Sequence, residues 1–459
     1  MFSSQTYQQR RDLLCQRTGS GLILLPGSKE ASMNYPENTY HFRQNSHFIY
    51  FVGMDQPDLF VVIDVDERKT LLFGDELTMD DIIWTGPMPS LGEQALKSGI
   101  TEIRPTSALD GYIKKAQGLN RLIHFLPPHR AWTMLQLEAL TGIPAMQLKA
   151  KTSETLIRAV VSLRSVKSPE EIVEIENAAA VGYEMHLAAL KMALPGETER
   201  HIAGFIEGIA LSRCNGLSFP TILSQHGEVL HGHRHEGVLE RGRFVICDAG
   251  AESLEHYACD FTRTAIVGGT FTTQQRALYQ MVVDANNKAF ELIRPGILYR
   301  DVHLASGKVL AEGLKSMGIL KGDVDEAVAA GAQALFMPHG LGHMMGLDVH
   351  DMEDLGENNV GYDEELSRST QFGLRSLRLG RRLQPGFVLT VEPGLYFMPQ
   401  LIQKWEAEKI LPEFVNYERA KQFIGIGGIR LEDDAIVTET GCRFLGKRLP
   451  ISPEEIEAL

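Results

Sequence analysis

Cysteine is scarce and scattered in this chain of 459 residues. Its five cysteines (Cys15, Cys214, Cys247, Cys259 and Cys442) are odd in number and form no C-x-x-C pair, which argues against a disulfide framework and against a structural zinc site. Positive charge also falls short. Lys and Arg number 45 against 59 Asp and Glu, a net charge of −14. A phosphate-binding surface needs a basic field, so nucleic acid and anionic membranes are not expected partners. No window approaches the roughly eighteen apolar residues of a membrane span, and the start, "MFSSQTYQQRRDLLC", lacks the apolar core of a signal peptide. The expectation is a protein of the reducing cytoplasm, neither exported nor inserted in a membrane.

The length is too great for one ordinary compact domain, and two unequal domains are expected. Early on, "GLILLPG" (21–27), "SHFIYFVG" (46–53) and "DLFVVIDVDERKTLLFGD" (58–75) read as short strands alternating with helices, an α/β domain over residues 1–160. A second domain, 161–459, opens near "SPEEIVEIENAAAVGYEMHLAALKMALPG", a long helix with Ser168 as N-cap, Pro169 in the first turn and Glu171 closing a capping box. Within it, "KMALPGETERHIAGFI" and "ELIRPGILYRDVHLAS" both read as helix, Pro-Gly break, helix. Pro195 and Pro295 stand at equivalent places, which suggests a duplicated αβ unit. Two stretches, 351–373 and 398–423, read as long connections of the kind that border substrate sites.

Four acids sit where acids are costly. Asp248 ends the apolar run "RFVICDAG", and Asp260 begins "DFTRTAIV". Glu392 lies inside "GFVLTVEPGLYF" and Glu432 inside "IGGIRLEDDAIVTET". Alone, an Asp before Ala-Gly is ordinary turn chemistry and a Glu beside two Asp is ordinarily solvated. Among buried apolar neighbours, however, a carboxylate needs a partner. If the four converge, only cations or shared protons hold them together, and two divalent ions would balance their charge. Carboxylates with one imidazole suit Mn²⁺, Co²⁺ or Zn²⁺, and paired ions sharing carboxylates form a hydrolytic site.

The imidazole is to be sought in "PHGLGHMMGLDVHD", which holds His339, His343 and His350. The spacing of His339 and His343 imitates the helical pair of a zinc protease. Pro338, Gly340, Gly342 and Gly346 make a helix improbable there, and no Glu follows His339 to serve as H-E-x-x-H base. A Gly-rich extended segment instead lets backbone approach a metal closely while presenting one imidazole. Residue chemistry alone leaves open which one. A basic run, "GLRSLRLGRRLQPG", carries Arg375, Arg378, Arg381 and Arg382; most of these suit a solvated loop, and one could clamp a substrate carboxylate.

In order, "DAG", "DFTRT", "HGLGH", "GLDVHD", "VEPGLY" and "GGIRLEDD" resemble the motifs of the pita-bread metallopeptidases, in particular the proline-specific branch of prolidase and aminopeptidase P. "FRQNSHFIYFVG" (42–53) is similar to the N-terminal domain these enzymes share with creatinase, and the likeness spans essentially the whole chain. It implies an α/β (α+β) fold, a creatinase-like N-terminal domain followed by a pita-bread catalytic domain with pseudo-two-fold αβ repeats. It implies five ligands for two divalent ions, Mn²⁺ foremost: Asp248 on one, Asp260 and Glu432 bridging, His343 with Glu392 on the other. His231 in "VLHGH" and His350 match histidines that line the substrate pocket, while His339, Tyr396 and Arg430 match supports of the substrate and metal site. The resemblance also implies that Glu392 doubles as general base.

The implied reaction is hydrolysis of the bond before proline in small peptides that carry proline second, by a homodimer or homotetramer. The stretch around Arg378 and the insert between Glu392 and Glu432 resemble prolidase, a dipeptidase in which the matching Arg holds the substrate's C-terminal carboxylate. "MGILKGDVDE" (317–326) resembles aminopeptidase P, which takes longer peptides. Two departures stand out. The loop from Asp248 to Asp260 is one residue longer than the pattern, and "GHRHEGVLERGR" after His231 is atypical, so His233 and His235 compete with His231. Metal-free relatives, binding proteins or creatinase-like hydrolases, lack the ligand set that is complete here.

Overall fold

The structure, a computed structural model, describes all 459 residues. They form two compact units: Met1–Arg164 together with Asp354–Asn359, and Ser165–Glu353 together with Val360–Leu459.

The first unit is built on a five-stranded mixed sheet with strands β1 (Leu22–Pro26), β2 (Phe60–Asp64), β3 (Lys69–Phe73), β4 (Glu102–Arg104) and β5 (Ile123–His124), ordered β4-β3-β2-β1-β5. Strands β1, β2 and β3 pair antiparallel, while β4 and β5 add parallel to the edges. Alternate residues Leu22, Leu24, Phe60, Val62, Leu71 and Phe73 face one way and pack on Leu109, Ile113, Phe125 and Leu137. The stretch 46–53, read from sequence as a strand, is instead a helix, Ser46–Val52. Its caps decide this: the Asn45 side chain accepts from the amides of His47 and Phe48, and Gly53 takes the left-handed conformation (φ 69°) to close the end. Every residue of the helix is buried, so no helical period was visible in its aromatic, β-branched composition.

In the second unit the long helix Pro169–Met192 starts as expected, with Ser168 and Glu171 in a reciprocal capping box. The duplication is present in the backbone. Helices Pro169–Met192 and Glu199–Arg213 are followed by β6 (Ile222–Ser224), β7 (Phe244–Ala249) and β8 (Phe261–Ile266) in one antiparallel sheet. Helices Thr273–Leu292 and Tyr299–Ser316 are followed by β9 (Val388–Val391), which joins β12 (Asp433–Val437) and β13 (Cys442–Phe444) in a second; β10 (Gly394–Tyr396) and β11 (Gly428–Arg430) form a short ladder between β9 and β12 in sequence. Gly196 (φ 88°) and Gly296 (φ 82°) turn equivalently after their prolines, donating to the carbonyls of Leu239 and Leu383. The two halves meet through the bridge Thr262–Glu432. Stretch 398–423 is not an open connection, since it contains the helices Pro399–Ala407 and Tyr417–Lys421.

Candidate active site

Register brings the four acids together. Asp248 pairs with Thr262 across β7 and β8, Asp260 immediately precedes β8, Glu392 immediately follows β9, and Glu432 sits between β11 and β12 opposite Thr262. Glycine permits the close approach: a Cβ on Gly250 would lie 1.8 Å from the Cys259 carbonyl oxygen, so the turn after Asp248 packs on the segment before Asp260 only without a side chain.

The histidine segment is extended, as its glycines required. It lies along β9: the Thr390 amide donates to the His343 carbonyl at 3.1 Å, the Glu392 amide to Leu341 at 2.8 Å, and Met344 bridges Leu389. A Cβ on Gly342 would meet the Thr390 carbonyl at 2.1 Å. This placement delivers His343 to the acids, with Nε2 3.5 Å from Asp260 and 3.8 Å from Glu392. Its Nδ1 lies 3.0 Å from its neighbour's carbonyl oxygen, Met344 O, and donates to it; Nε2 then carries the lone pair.

Asp260, His343 and Glu432 offer ligand atoms all within 4.8 Å of one another, and all three are buried. Asp248 Oδ1 and Asp260 Oδ1 are buried without a hydrogen-bond partner. Such orphaned carboxylate oxygens around an imidazole lone pair fit a divalent cation. Burial, reinforced by the neighbouring carboxylates, pushes Asp260 up to about 6 and Glu392 up to about 7, and Glu432 well above the carboxylate range. Burial works against charge on His343, yet Asp260 and Glu392 outweigh it and raise its pKa.

Other predicted residues divide into those that face the cavity and those that stand behind. His231, His350 and Arg378 line, with the four acids and the His343 imidazole, a cavity of about 330 Å³, whose apolar side includes Phe219, Pro220, Leu230 and Val349. Burial lowers both His231 and His350, favouring neutral imidazoles. His233 also lines the cavity, whereas His235 turns its Nδ1 to the Leu223 carbonyl. Arg430 touches the cavity but spends its guanidinium on protein groups: one NH₂ donates to Asp248 at 2.5 Å, the other to the Tyr396 hydroxyl at 2.9 Å. Tyr396 is fully buried behind it and hydrogen-bonds His339 Nε2 at 2.9 Å. Tyr396 and Arg430 thus brace the acid cluster, Arg430 at the edge of the cavity and Tyr396 behind it. His339, driven down to about 3 chiefly by burial, is a neutral member of the same chain.

Sequence reasoning missed three supports. Asp434 accepts from the Asp260 amide at 3.0 Å, Thr262 donates to Glu432 at 2.6 Å, and Glu353 accepts from His350 Nδ1 at 2.6 Å while its other oxygen pairs with Arg378. The first two stand close to predicted ligands, and Glu353 lies in the 351–373 connection that reads as bordering a substrate site. Glu353 lies in a polar run, "DMEDLGENN", where an acid attracts no notice.

A buried nest of four carboxylates and one imidazole, set between duplicated αβ halves and open to a cavity, defines a metal-dependent hydrolase of the pita-bread kind. The profile of metallopeptidase family M24 matches residues 173–439, and that of the aminopeptidase P N-terminal domain matches 7–124. The chain belongs to metallopeptidase family M24. It is 31% identical to human Xaa-Pro dipeptidase (98% of this chain, 92% of that one) and 33% identical to Xaa-Pro aminopeptidase of Escherichia coli K12 (100% and 98%). Among solved structures it resembles aminopeptidase P from E. coli with the inhibitor Pro-Leu, at 30% identity and TM-score 0.80, covering 100% of this chain and 98% of that one. A zinc-substituted form of that enzyme in complex with product matches at TM-score 0.81, with the same identity and coverage. Family membership implies a divalent metal, and the donor set fits one.

Proposed function

We propose that this chain hydrolyses the peptide bond before proline, with Xaa-Pro dipeptides as favoured substrates. The observation that carries the reading is the joining, in one cavity, of the acid–imidazole cluster, the Arg378 guanidinium and an apolar wall. The wall suits a pyrrolidine ring, whose nitrogen carries no hydrogen to read, and Arg378 suits the carboxylate that follows it in a dipeptide. A second reading, cleavage of longer peptides, is favoured by the carboxylate of Glu353 that already occupies Arg378.

Two divalent ions, Mn²⁺ foremost and Co²⁺ or Zn²⁺ by the same donor chemistry, are the cofactors inferred. Asp248 would hold one, His343 with Glu392 the other, and Asp260 with Glu432 both. When bound, they supply Lewis acidity and make water nucleophilic near neutral pH. Glu392, with its affinity for protons raised to about 7, takes the proton of the attacking water and passes it to the prolyl nitrogen as the C–N bond breaks. His231 and His350, neutral and facing the cavity, orient the scissile carbonyl and the carboxylate end.

Five free cysteines and the absence of any helix long and apolar enough to cross a membrane support a cytoplasmic site of action. The helix Met79–Thr85 buries no residue and exposes Met79, Ile83 and Trp84, which supports self-association into a dimer or tetramer. The test of the activity is hydrolysis of Gly-Pro and of a longer Gly-Pro-Xaa peptide with Mn²⁺. Cleavage of Gly-Pro at the higher kcat/KM is expected, and cleavage of neither would overturn the reading.

A further inference from the structure

Arg378 and His350 reach the cavity from different segments, yet one carboxylate joins them behind its wall. Glu353 closes a turn three residues after His350, its amide donating to the His350 carbonyl at 3.2 Å. Its Oε2 accepts from His350 Nδ1 at 2.6 Å, and its Oε1 pairs with an NH₂ of Arg378. Arg378 and His350 line the cavity, and Glu353 is not part of the lining. The guanidinium best placed to bind a substrate carboxylate therefore already faces a carboxylate of its own chain. Glu353 is about a third exposed, like Arg378, so this pair is held by geometry and is open to exchange with a ligand rather than locked in the interior.

We propose that Glu353 is a specificity-determining positioning residue, an internal counter-carboxylate that competes with the C-terminal carboxylate of an Xaa-Pro dipeptide for Arg378. The inference rests on the X-Pro peptidase reading and deepens it by naming the substrate class. A free guanidinium would select dipeptides strongly, because a substrate continuing past proline presents an uncharged amide where the charge is required. Partial neutralisation by Glu353 relaxes that selection, so both the dipeptide and a peptide extended beyond proline are accepted. Exchange is local: a dipeptide carboxylate takes the guanidinium while Glu353 keeps His350, and an extended substrate leaves both contacts in place.

The test is the ratio of kcat/KM for Gly-Pro to kcat/KM for Gly-Pro-amide, the same substrate without its charge, in the Mn²⁺-loaded full chain and its Glu353→Gln variant. Any effect transmitted through His350 acts on both substrates and cancels in the ratio. Removing the competitor's charge is expected to raise the ratio about tenfold, corresponding to ~1.4 kcal/mol, mainly through a lower KM for Gly-Pro. Should Glu353→Gln lose metal or melt early, Glu353→Asp carries the test, since its shorter carboxylate withdraws from the guanidinium and the ratio again rises. A ratio that stays fixed or falls in an active variant overturns this inference alone. An unmodified protein inactive on both substrates with Mn²⁺ overturns the peptidase reading and this inference with it.

Discussion

Lowering the pH is the perturbation that interrogates the acid cluster most sharply, because its members hold protons at values where ordinary carboxylates have none. Burial and mutual repulsion place Asp260 at about 6, Glu392 at about 7 and Glu432 well above the carboxylate range, and a cation binds only after these protons leave. Stripping Asp260 and Glu392 alone weakens binding about twofold at pH 7 and about a thousandfold at pH 5, so filling the cluster becomes at least about 500-fold weaker over that span, and Glu432 adds to the loss. Binding also releases, from Asp260 and Glu392 alone, about 1.4 protons at pH 6 and about 0.6 at pH 7, with the Glu432 proton in addition. The sign for the metal-free protein is the opposite of that for a salt-bridged acid. Because the folded pKa values are raised, the stabilisation by bound protons is complete below the ordinary carboxylate range and is lost as pH rises through 6 to 7. Titration calorimetry with Mn²⁺ at pH 5, 6 and 7, in buffers of different ionisation enthalpy, reads affinity and proton release together. Affinity that is flat from pH 5 to 7, with no proton release, would refute the assignment of the cluster as a metal site.

Other perturbations have defined outcomes. Asp260→Ala and His343→Ala are each expected to abolish activity through loss of metal, read by elemental analysis beside the assay; full activity with normal metal content in either would sink the assignment. Gly342→Ala places a methyl 2.1 Å from the Thr390 carbonyl, displacing the strand that presents His343. It should cost about 1–3 kcal/mol of stability and at least tenfold in metal retention on dialysis. Arg430→Gln leaves Asp248 without its 2.5 Å partner in a buried site, an expected loss of about 3–5 kcal/mol in the metal-free protein, measured by denaturant unfolding. Metal should narrow that difference, since a bound cation replaces the lost charge.

How far the sequence reveals this site depends on how costly each residue is where it stands. Lone acids in "VICDAG" and "LTVEPG" are legible because a carboxylate among buried strand residues has no cheap explanation, and the structure finds Asp248 buried and Glu392 half-buried, both lining one cavity with Asp260 and Glu432. The glycines around His343 are legible as excluding a helix, but not as docking that segment along β9, which joins residues nearly fifty positions apart. The partner of Arg430 is not legible, because its pairing with Asp248, 182 positions away, leaves no local trace. Glu353 is invisible for the converse reason: an acid in a polar run costs nothing until Arg378 and His350 fold onto it. Likewise the helix at Ser46–Val52, buried on every side, has no polar face from which its period could be read.

The claim that matters most is that the buried acid cluster makes this chain a metal-dependent hydrolase of X-Pro bonds. Chelator-stripped protein, assayed on Gly-Pro and on Gly-Ala before and after addition of Mn²⁺, tests both halves at once. No hydrolysis without metal is expected, and metal-restored cleavage of Gly-Pro far above Gly-Ala. Cleavage of Gly-Pro by the stripped protein, or equal cleavage of both dipeptides after metal is restored, would contradict that claim.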